Sequence, residues 1–282
     1  MSDSDFLRRV IETGDDGAAL RFAAERGHID MVRSALQDGA DVNASSFLGE
    51  AALYKAASRG DVEIVKLLLD SGAEVDKRTT KQYWYSTPLI SAAIHGHLPV
   101  IQVLFSRGAS IHQSDGNRWT ALMNAASGDH TELVKFLILQ DAELNTKDKW
   151  GTTALAWAAT KGSVGAAEVL LSSGAEVDAV DHYGKTPLMT GCDSLVFGPT
   201  QNYVAIVKLL IAHKANVNAR NKNSRTPLMF AAETGNTEII RFLLDAGAEV
   251  NAAHKTGKTA LQWAAKAGHS EAVAVLKEAG AS

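Results

Sequence analysis

The side chains that could carry out chemistry are few in this sequence of 282 residues, which has nine His and one Cys. His95 and His97 are separated by one residue, a spacing that could suggest two ligands of a metal ion. Cys192 has no evident His or Asp partner to activate it as a nucleophile. The glycines form no phosphate-binding loop. We therefore expect no catalytic, metal or cofactor site, and we predict that the chain is not an enzyme.

A short pattern, Thr-Pro-Leu or a close relative, recurs along the chain at an almost fixed step. Most steps are 33 residues, while the step before Thr87 is 36 and the step before Thr226 is 40. A period of this length with helical patterning indicates a stack of small supersecondary units. The pattern begins at Ala18, Ala51, Thr87, Thr120, Thr153, Thr186, Thr226 and Thr259.

Each copy of the pattern opens a predicted pair of helices. Thr87 is expected to cap the first helix, and Pro88 to occupy its first position. An Ala-Ala pair such as Ala92-Ala93 lets neighbouring first helices approach closely. A Gly-His turn such as Gly96-His97 permits the reversal into a second, apolar helix, which closes with Gly-Ala-x-Val-Asn/Asp.

These linked motifs resemble the ankyrin repeat family, whose signature is T-P-L-H-x-A on a period of 33. The resemblance covers about residues 15–282 and implies an all-α solenoid of stacked helix-turn-helix units with β-hairpin fingers. It identifies His28, His97, His130 and His269 as structural members of the Gly-His turn. It also implies that the protein binds other proteins and does not catalyse a reaction.

We predict one repeat array preceded by an N-terminal capping helix at 1–14. A single repeat cannot bury its apolar side, so stability should come from stacking. The predicted repeats are about 15–46, 47–78, 79–114, 115–147, 148–180, 181–220, 221–253 and 254–282.

Composition restricts the environment and the partners. The net charge of −4 argues against nucleic-acid binding, which favours a basic surface. The single cysteine excludes an intrachain disulfide and suits a reducing compartment. No apolar run approaches the roughly 18 residues of a membrane span. We expect a monomer in the cytoplasm or the nucleus, without membrane insertion.

The resemblance implies that partners contact the finger tips and the ends of the first helices along a concave groove. Aromatic residues are unusual at finger tips, and Trp, Tyr and Arg dominate interface hot spots. The alternative is that these rings pack on neighbouring fingers and stiffen the array. The candidate partner-binding residues are Phe47, Leu48, Tyr83, Trp84, Tyr85, Arg118, Trp119, Trp150, His182 and Tyr183 on the fingers, and Ile94, His95 and Lys161 on the helix ends.

The same register predicts which other aromatic residues are buried. Phe22, Trp157, Phe230 and Trp263 stand four residues after the start of the pattern and are predicted to lie in the core. Cys192 falls at an Ala position and is predicted to be a small apolar filler.

Two insertions break the period. Three extra residues before Thr87 lengthen a finger that carries Tyr83–Tyr85. Seven extra residues around Leu195–Pro199 lie between two helices, and Val196 and Phe197 could form a second contact. Neutral drift in a loop explains either insertion equally well.

The sequence predicts a non-catalytic scaffold that binds a protein or peptide through the concave groove and aromatic finger tips. The last fingers are basic, so a partner with an acidic region would fit, although a solvated charged face is the alternative. Other functions stay open: a regulatory inhibitor of one partner, a targeting module of a larger enzyme, or an engineered binder. The basic finger residues are Lys222, Arg225, Lys255 and Lys258.

Overall fold

Helices follow one another in pairs in the computed structural model, which describes residues 16–80, 84–193 and 200–282. The sixteen helices of these residues are α1 (Asp16–Arg26), α2 (Ile29–Gln37), α3 (Ala52–Arg59), α4 (Val62–Asp70), α5 (Pro88–Ile94), α6 (Leu98–Ser106), α7 (Ala121–Ser127), α8 (Thr131–Leu139), α9 (Ala154–Lys161), α10 (Val164–Ser172), α11 (Pro187–Asp193), α12 (Thr200–Ala212), α13 (Pro227–Thr234), α14 (Thr237–Asp245), α15 (Ala260–Ala267) and α16 (Ser270–Glu278).

Several predicted features lie outside the described residues. These are the capping helix at 1–14, the fingertip residue Tyr83, and the insertion around Leu195–Pro199 with Val196 and Phe197.

The chain divides into two compact units. Unit 1 comprises residues 1–125 and 139–142, and unit 2 comprises 126–138 and 143–282. In unit 1 the first helices α1, α3 and α5 pack in order, and so do the second helices α2, α4 and α6. In unit 2 the same holds for α9, α11, α13 and α15, and for α10, α12, α14 and α16. Within each unit, these pairs therefore bury their apolar sides against one another, as a repeat array requires.

The first helices begin as the sequence predicts. Thr87 Oγ1 accepts a hydrogen bond from Ile90 N at 3.3 Å, and Pro88 occupies the first turn. Thr153 and Thr226 make the corresponding bonds in unit 2, at 3.3 and 3.4 Å. Each bond satisfies one of the amides that a helix start leaves without a partner.

The paired alanines line the contacts between first helices. Ala92 and Ala93 in unit 1, and Ala158 and Ala159 in unit 2, are fully buried. Because Ala adds a single methyl group, the helices that carry these pairs can approach closely. Branched side chains of the second helices, such as Leu68, complete the core.

The prediction that four aromatic residues lie in the core is correct for only one of them. Phe230 is buried, whereas Phe22, Trp157 and Trp263 are half-buried. The same position is covered to different degrees in different repeats, since Ser91 is buried and Lys55 keeps its side chain partly exposed. The position in the repeat therefore does not by itself place a side chain in the core.

The histidine of the Gly-His turn connects one repeat to the preceding one. His97 Nε2 donates to Ser58 O at 3.1 Å, and its ring lies over Gly60. Gly60 has a φ of 86°, and a Cβ added there would lie 2.6 Å from His97 Nδ1. The structural role predicted for His97 is therefore confirmed, and it includes a contact between repeats.

Candidate functional site

A polar side chain at the base of several fingers builds the turn. Asp115 Oδ1 accepts hydrogen bonds from Asn117 N at 2.8 Å and from Trp119 N at 2.9 Å. Such a side chain holds a turn in place by bonding to nearby amides. The sequence carried a signal that we did not use, since an Asp or Asn stands five residues before several pattern starts. The residues that act in this way in unit 2 are Asp148, Asp181 and Asn221.

Main-chain hydrogen bonds connect successive fingers in unit 1. Thr80 N donates to Leu48 O at 2.8 Å, and Gly116 N donates to Trp84 O at 2.5 Å. Arg78 adds a side-chain connection, because its Nε donates to Tyr85 O at 3.0 Å and its guanidinium also reaches Ser114 O. The finger that carries Trp84 and Tyr85 is therefore tied to its neighbours on both sides.

The fingers of unit 2 are connected in the same way. His182 N donates to Trp150 O at 2.9 Å. Lys222 N donates to Tyr183 O at 3.0 Å. Because each bond involves main-chain atoms, the candidate side chains on these fingers are held at fixed spacing within unit 2.

The aromatic rings on the fingers are nevertheless exposed. In unit 1, Phe47 is 84 % exposed, Trp84 56 % and Tyr85 45 %. In unit 2, Trp150 is 44 % and Tyr183 65 % exposed. Packing between fingers therefore leaves much of each ring open to a partner.

The other finger candidates differ in exposure. Arg118 in unit 1 and His182 in unit 2 are exposed, whereas Leu48 and Trp119 in unit 1 are half-buried. All four thus lie on the fingers as predicted, with Leu48 and Trp119 packed more deeply.

The backbone of one finger in unit 1 is strained. Trp84 and Tyr85 have φ values of 59° and 52°, and Arg118 on the next finger has 64°. A bulky residue in the left-handed region costs about 1–3 kcal/mol, and such residues cluster at functional sites. The two adjacent rings of this finger therefore stand on locally strained backbone.

A cavity in unit 1 contains the two helix-end candidates of that unit. Ile94 ends α5 and His95 follows it, and both line a cavity of about 550 Å³ together with Glu50 and Lys55. Lys55 Nζ lies 2.8 Å from Glu50 Oε1 and 3.3 Å from Glu25 Oε1. Burial alone would lower the pKa of Lys55, but its bonds and proximity to both carboxylates outweigh this and raise the pKa.

The remaining candidates, Lys161 and Cys192, lie on helices of unit 2. Lys161 is the half-buried last residue of α9 in unit 2. Cys192 is free and buried, and burial, followed by the charge of Asp193, raises the pKa of its thiol. The thiol therefore stays protonated and uncharged, as a small apolar filler would. Within the described ranges, no three His, Cys, Asp or Glu side chains are grouped so as to hold a metal ion.

The position of Cys192 predicts its reactivity. In the native protein, iodoacetamide should alkylate Cys192 at less than about one hundredth of the rate in the urea-unfolded chain, because the buried thiol must first open to solvent. Mass spectrometry of timed samples measures both rates. Equal rates in the two states would show that the thiol is accessible and is not a core filler.

Helix pairs that stack on one another, with fingers connected between pairs, define an all-α helical repeat protein. Models of ankyrin repeats match residues 20–82 and, in three further matches, 89–181, 122–221 and 195–282. These matches include most of the chain, so it belongs to the ankyrin repeat family, and the predicted fold class is confirmed. A search of curated proteins found no match to the chain.

Ankyrin repeats generally mediate protein–protein interactions, and the family is typically non-catalytic. Among the helices of the described residues, none combines the length and the apolar character needed to cross a membrane.

Proposed function

We propose that the chain is a non-catalytic module that binds a partner protein or peptide through the aromatic side chains of its finger tips. The observation that carries the proposal is the exposure of large aromatic rings on fingers whose backbones are hydrogen-bonded to one another. These rings are Phe47, Trp84 and Tyr85 in unit 1 and Trp150 and Tyr183 in unit 2.

Fingers that are already ordered favour binding, because less free energy is lost in ordering them on association. Ordering a flexible loop on association consumes part of the interaction free energy, and a loop that is already ordered avoids that loss. Arg78 bonds to the main chain of Tyr85 and Ser114 and so orders the most aromatic finger of unit 1 before any partner arrives. The backbone strain at Trp84 and Tyr85 is consistent with a functional role, since strained residues cluster at functional sites.

Polar candidates around the rings complete the proposed contact surfaces. Arg118 and His182 are exposed donors on the fingers of units 1 and 2, respectively. Ile94 and His95 line the cavity of unit 1, which could receive a partner side chain beside the charged pair of Glu50 and Lys55. Leu48, Trp119 and Lys161 support these surfaces from half-buried positions. Tyr83, Val196 and Phe197 keep the status of sequence predictions.

We propose a cytoplasmic or nuclear location and a monomeric state for this module. A single cysteine, free and buried, suits a reducing compartment.

Affinity capture with paired variants tests the fingertip contacts. The first variant combines Trp84→Asn and Tyr85→Asn, since Asn tolerates positive φ and removes the rings without added backbone strain. The second combines Trp150→Ala and Tyr183→Ala. A protein that the wild type captures is then purified, and its affinity is measured by calorimetry. At least one variant should bind about 30-fold more weakly, because a hot-spot ring contributes 2 kcal/mol or more.

A matched control separates loss of the site from loss of apolar surface. Leu139 at the end of α8 is 77 % exposed, so Leu139→Ala removes an exposed apolar side chain outside the fingers. It should leave both partner affinity and melting temperature unchanged. If both fingertip variants bind like wild type, or if their melting temperatures fall sharply, the rings are structural and the proposal is wrong.

A further inference from the structure

Three cations surround one indole ring in unit 2. Arg225 Cζ lies 4.5 Å from the centroid of the Trp263 ring, Lys258 Nζ 5.5 Å and Lys266 Nζ 5.7 Å. The electron-rich face of an indole attracts each cation separately. The cations still repel one another, so the arrangement concentrates positive charge at one place.

Arg225 is the fixed member of this group. Its guanidinium lies 3.9 Å from the centroid of the Phe230 ring as well as near Trp263, so it is placed beside two aromatic rings. It also forms an ion pair with Glu233, and its side chain is only 16 % exposed. Arg225 therefore gives the group a fixed position and is largely neutralised by Glu233.

The lysines of the group lack such compensation. Among the described residues, neither Lys258 nor Lys266 has a carboxylate within ion-pair distance. Lys222 and Lys255 on the adjoining finger tips are exposed and likewise lack one. Some lysines elsewhere do form ion pairs, including Lys66 with Glu63, Lys135 with Glu132 and Lys208 with Glu238. We call Lys222, Arg225, Lys255, Lys258 and Lys266 the basic cluster.

A neighbouring histidine responds to this charge. The His254 ring meets the Trp263 ring edge-on, with the centroids 5.9 Å apart. Partial burial, followed by the charges of Lys255, Arg225 and Lys258, lowers the pKa of His254. A lowered pKa disfavours the charged form of His254, and after burial part of the shift comes from the positive charges of the cluster.

We propose that the basic cluster docks an acidic segment of a partner protein, rich in Asp or Glu. Lys258 and Lys266 would pair with carboxylates beside the Trp263 ring, and Lys222 and Lys255 would extend the contact along the finger tips. Charge complementarity of this kind steers association and fixes register. The inference rests on the proposed function only in taking the partner to be a protein, and it concerns the lysines and not the exposed rings.

Nucleic acid is a poorer fit to the cluster. Proteins that bind single strands stack bases on aromatic side chains, but the half-buried Trp263 ring is already occupied by its cations. The chain as a whole carries a net charge of −4, so a long polyanion would meet repulsion beyond the cluster. A short acidic peptide needs only the cluster itself.

Fluorescence anisotropy with a defined peptide tests this docking. The probe is a fluorescein-labelled peptide in which Glu alternates with Ser, and its counterpart carries Gln in place of every Glu. Wild type should bind the Glu peptide and not the Gln peptide, and the affinity should fall as salt rises. Combining Lys258→Gln and Lys266→Gln should weaken binding about tenfold, because two ion pairs are lost. Combining Lys258→Arg and Lys266→Arg keeps the charge and should retain binding.

The matched control combines Lys66→Gln and Lys135→Gln, which removes the same charge from lysines outside the cluster. If this control weakens binding as much as the cluster variant, net charge and not the cluster attracts the peptide, and the inference is wrong. It is also wrong if wild type ignores the Glu peptide at low salt, or if an oligothymidine binds more tightly than the peptide. If the Glu peptide does not bind, while partner capture still depends on Trp84 and Tyr85, only the docking inference for the basic cluster is contradicted. If the Glu peptide binds, while the fingertip variants capture the partner as well as wild type does, only the proposed function is contradicted.

Discussion

The Asp148→Ala substitution is expected to lower the free energy of unfolding by about 3 kcal/mol, because it removes three hydrogen bonds to a buried side chain. Asp148 is 1 % exposed. Its Oδ1 accepts from Trp150 N at 2.8 Å and from Thr152 N at 2.9 Å. Its Oδ2 accepts from Trp157 Nε1 at 2.9 Å. Urea-induced unfolding followed by circular dichroism measures the change.

The Asp148→Asn substitution separates the turn from the indole bond. Asn221 forms the same turn in a later finger, where its Oδ1 accepts from Asn223 N and Arg225 N at 2.9 Å each. Asn at 148 should therefore keep both turn bonds and lose only the bond from Trp157, at a cost of about 1 kcal/mol. The assignment fails if the Ala variant is as stable as wild type, or if Asn costs as much as Ala.

The Gly235→Ala substitution is expected to destabilise the protein by about 3 kcal/mol, from two effects that add. Gly235 has a φ of 74°, where an L-residue costs roughly 1–2 kcal/mol. The new methyl group would also overlap the His269 ring. Displacing that ring breaks the bond of 3.0 Å from His269 Nε2 to Glu233 O, worth about 1 kcal/mol.

Gly268 provides the control because it ends the next first helix with a similar φ of 81°, and an added Cβ there meets nothing within 4 Å. Gly268→Ala should therefore show the backbone cost alone. The difference between the two variants in a urea titration measures the contact between repeats. Equal losses of stability would show that the histidine contributes nothing to stacking.

The sequence predicted the features that depend on local chemistry. A Thr before Pro at a fixed period specifies a capped helix wherever it occurs, and Thr87 forms the expected bond. Ala pairs such as Ala92 and Ala93 are buried because only small residues fit between closely packed first helices. The family assignment followed from the same motifs, since their spacing is set by the repeat itself.

Features that depend on contacts between repeats were harder to predict. The pattern assigned His97 to a turn, but its bond to Ser58 joins residues in different repeats. Trp157 and Trp263 were wrongly assigned to the core from their register, because the position in the repeat does not reveal their polar neighbours. Asp148 holds the Trp157 indole, and Arg225 lies against the Trp263 ring. Both rings are thus half-buried beside polar neighbours.

The hydrogen bonds between fingers have a consequence for how such a protein can change its partner. They join main-chain atoms, as from His182 N to Trp150 O, and so do not depend on which side chains those residues carry. If the exposed tips bind the partner as we propose, substitutions there would alter recognition while the connecting bonds persist. Within each unit, folding and the proposed recognition would then depend on different atoms, so single mutations at the tips would change specificity and leave folding intact.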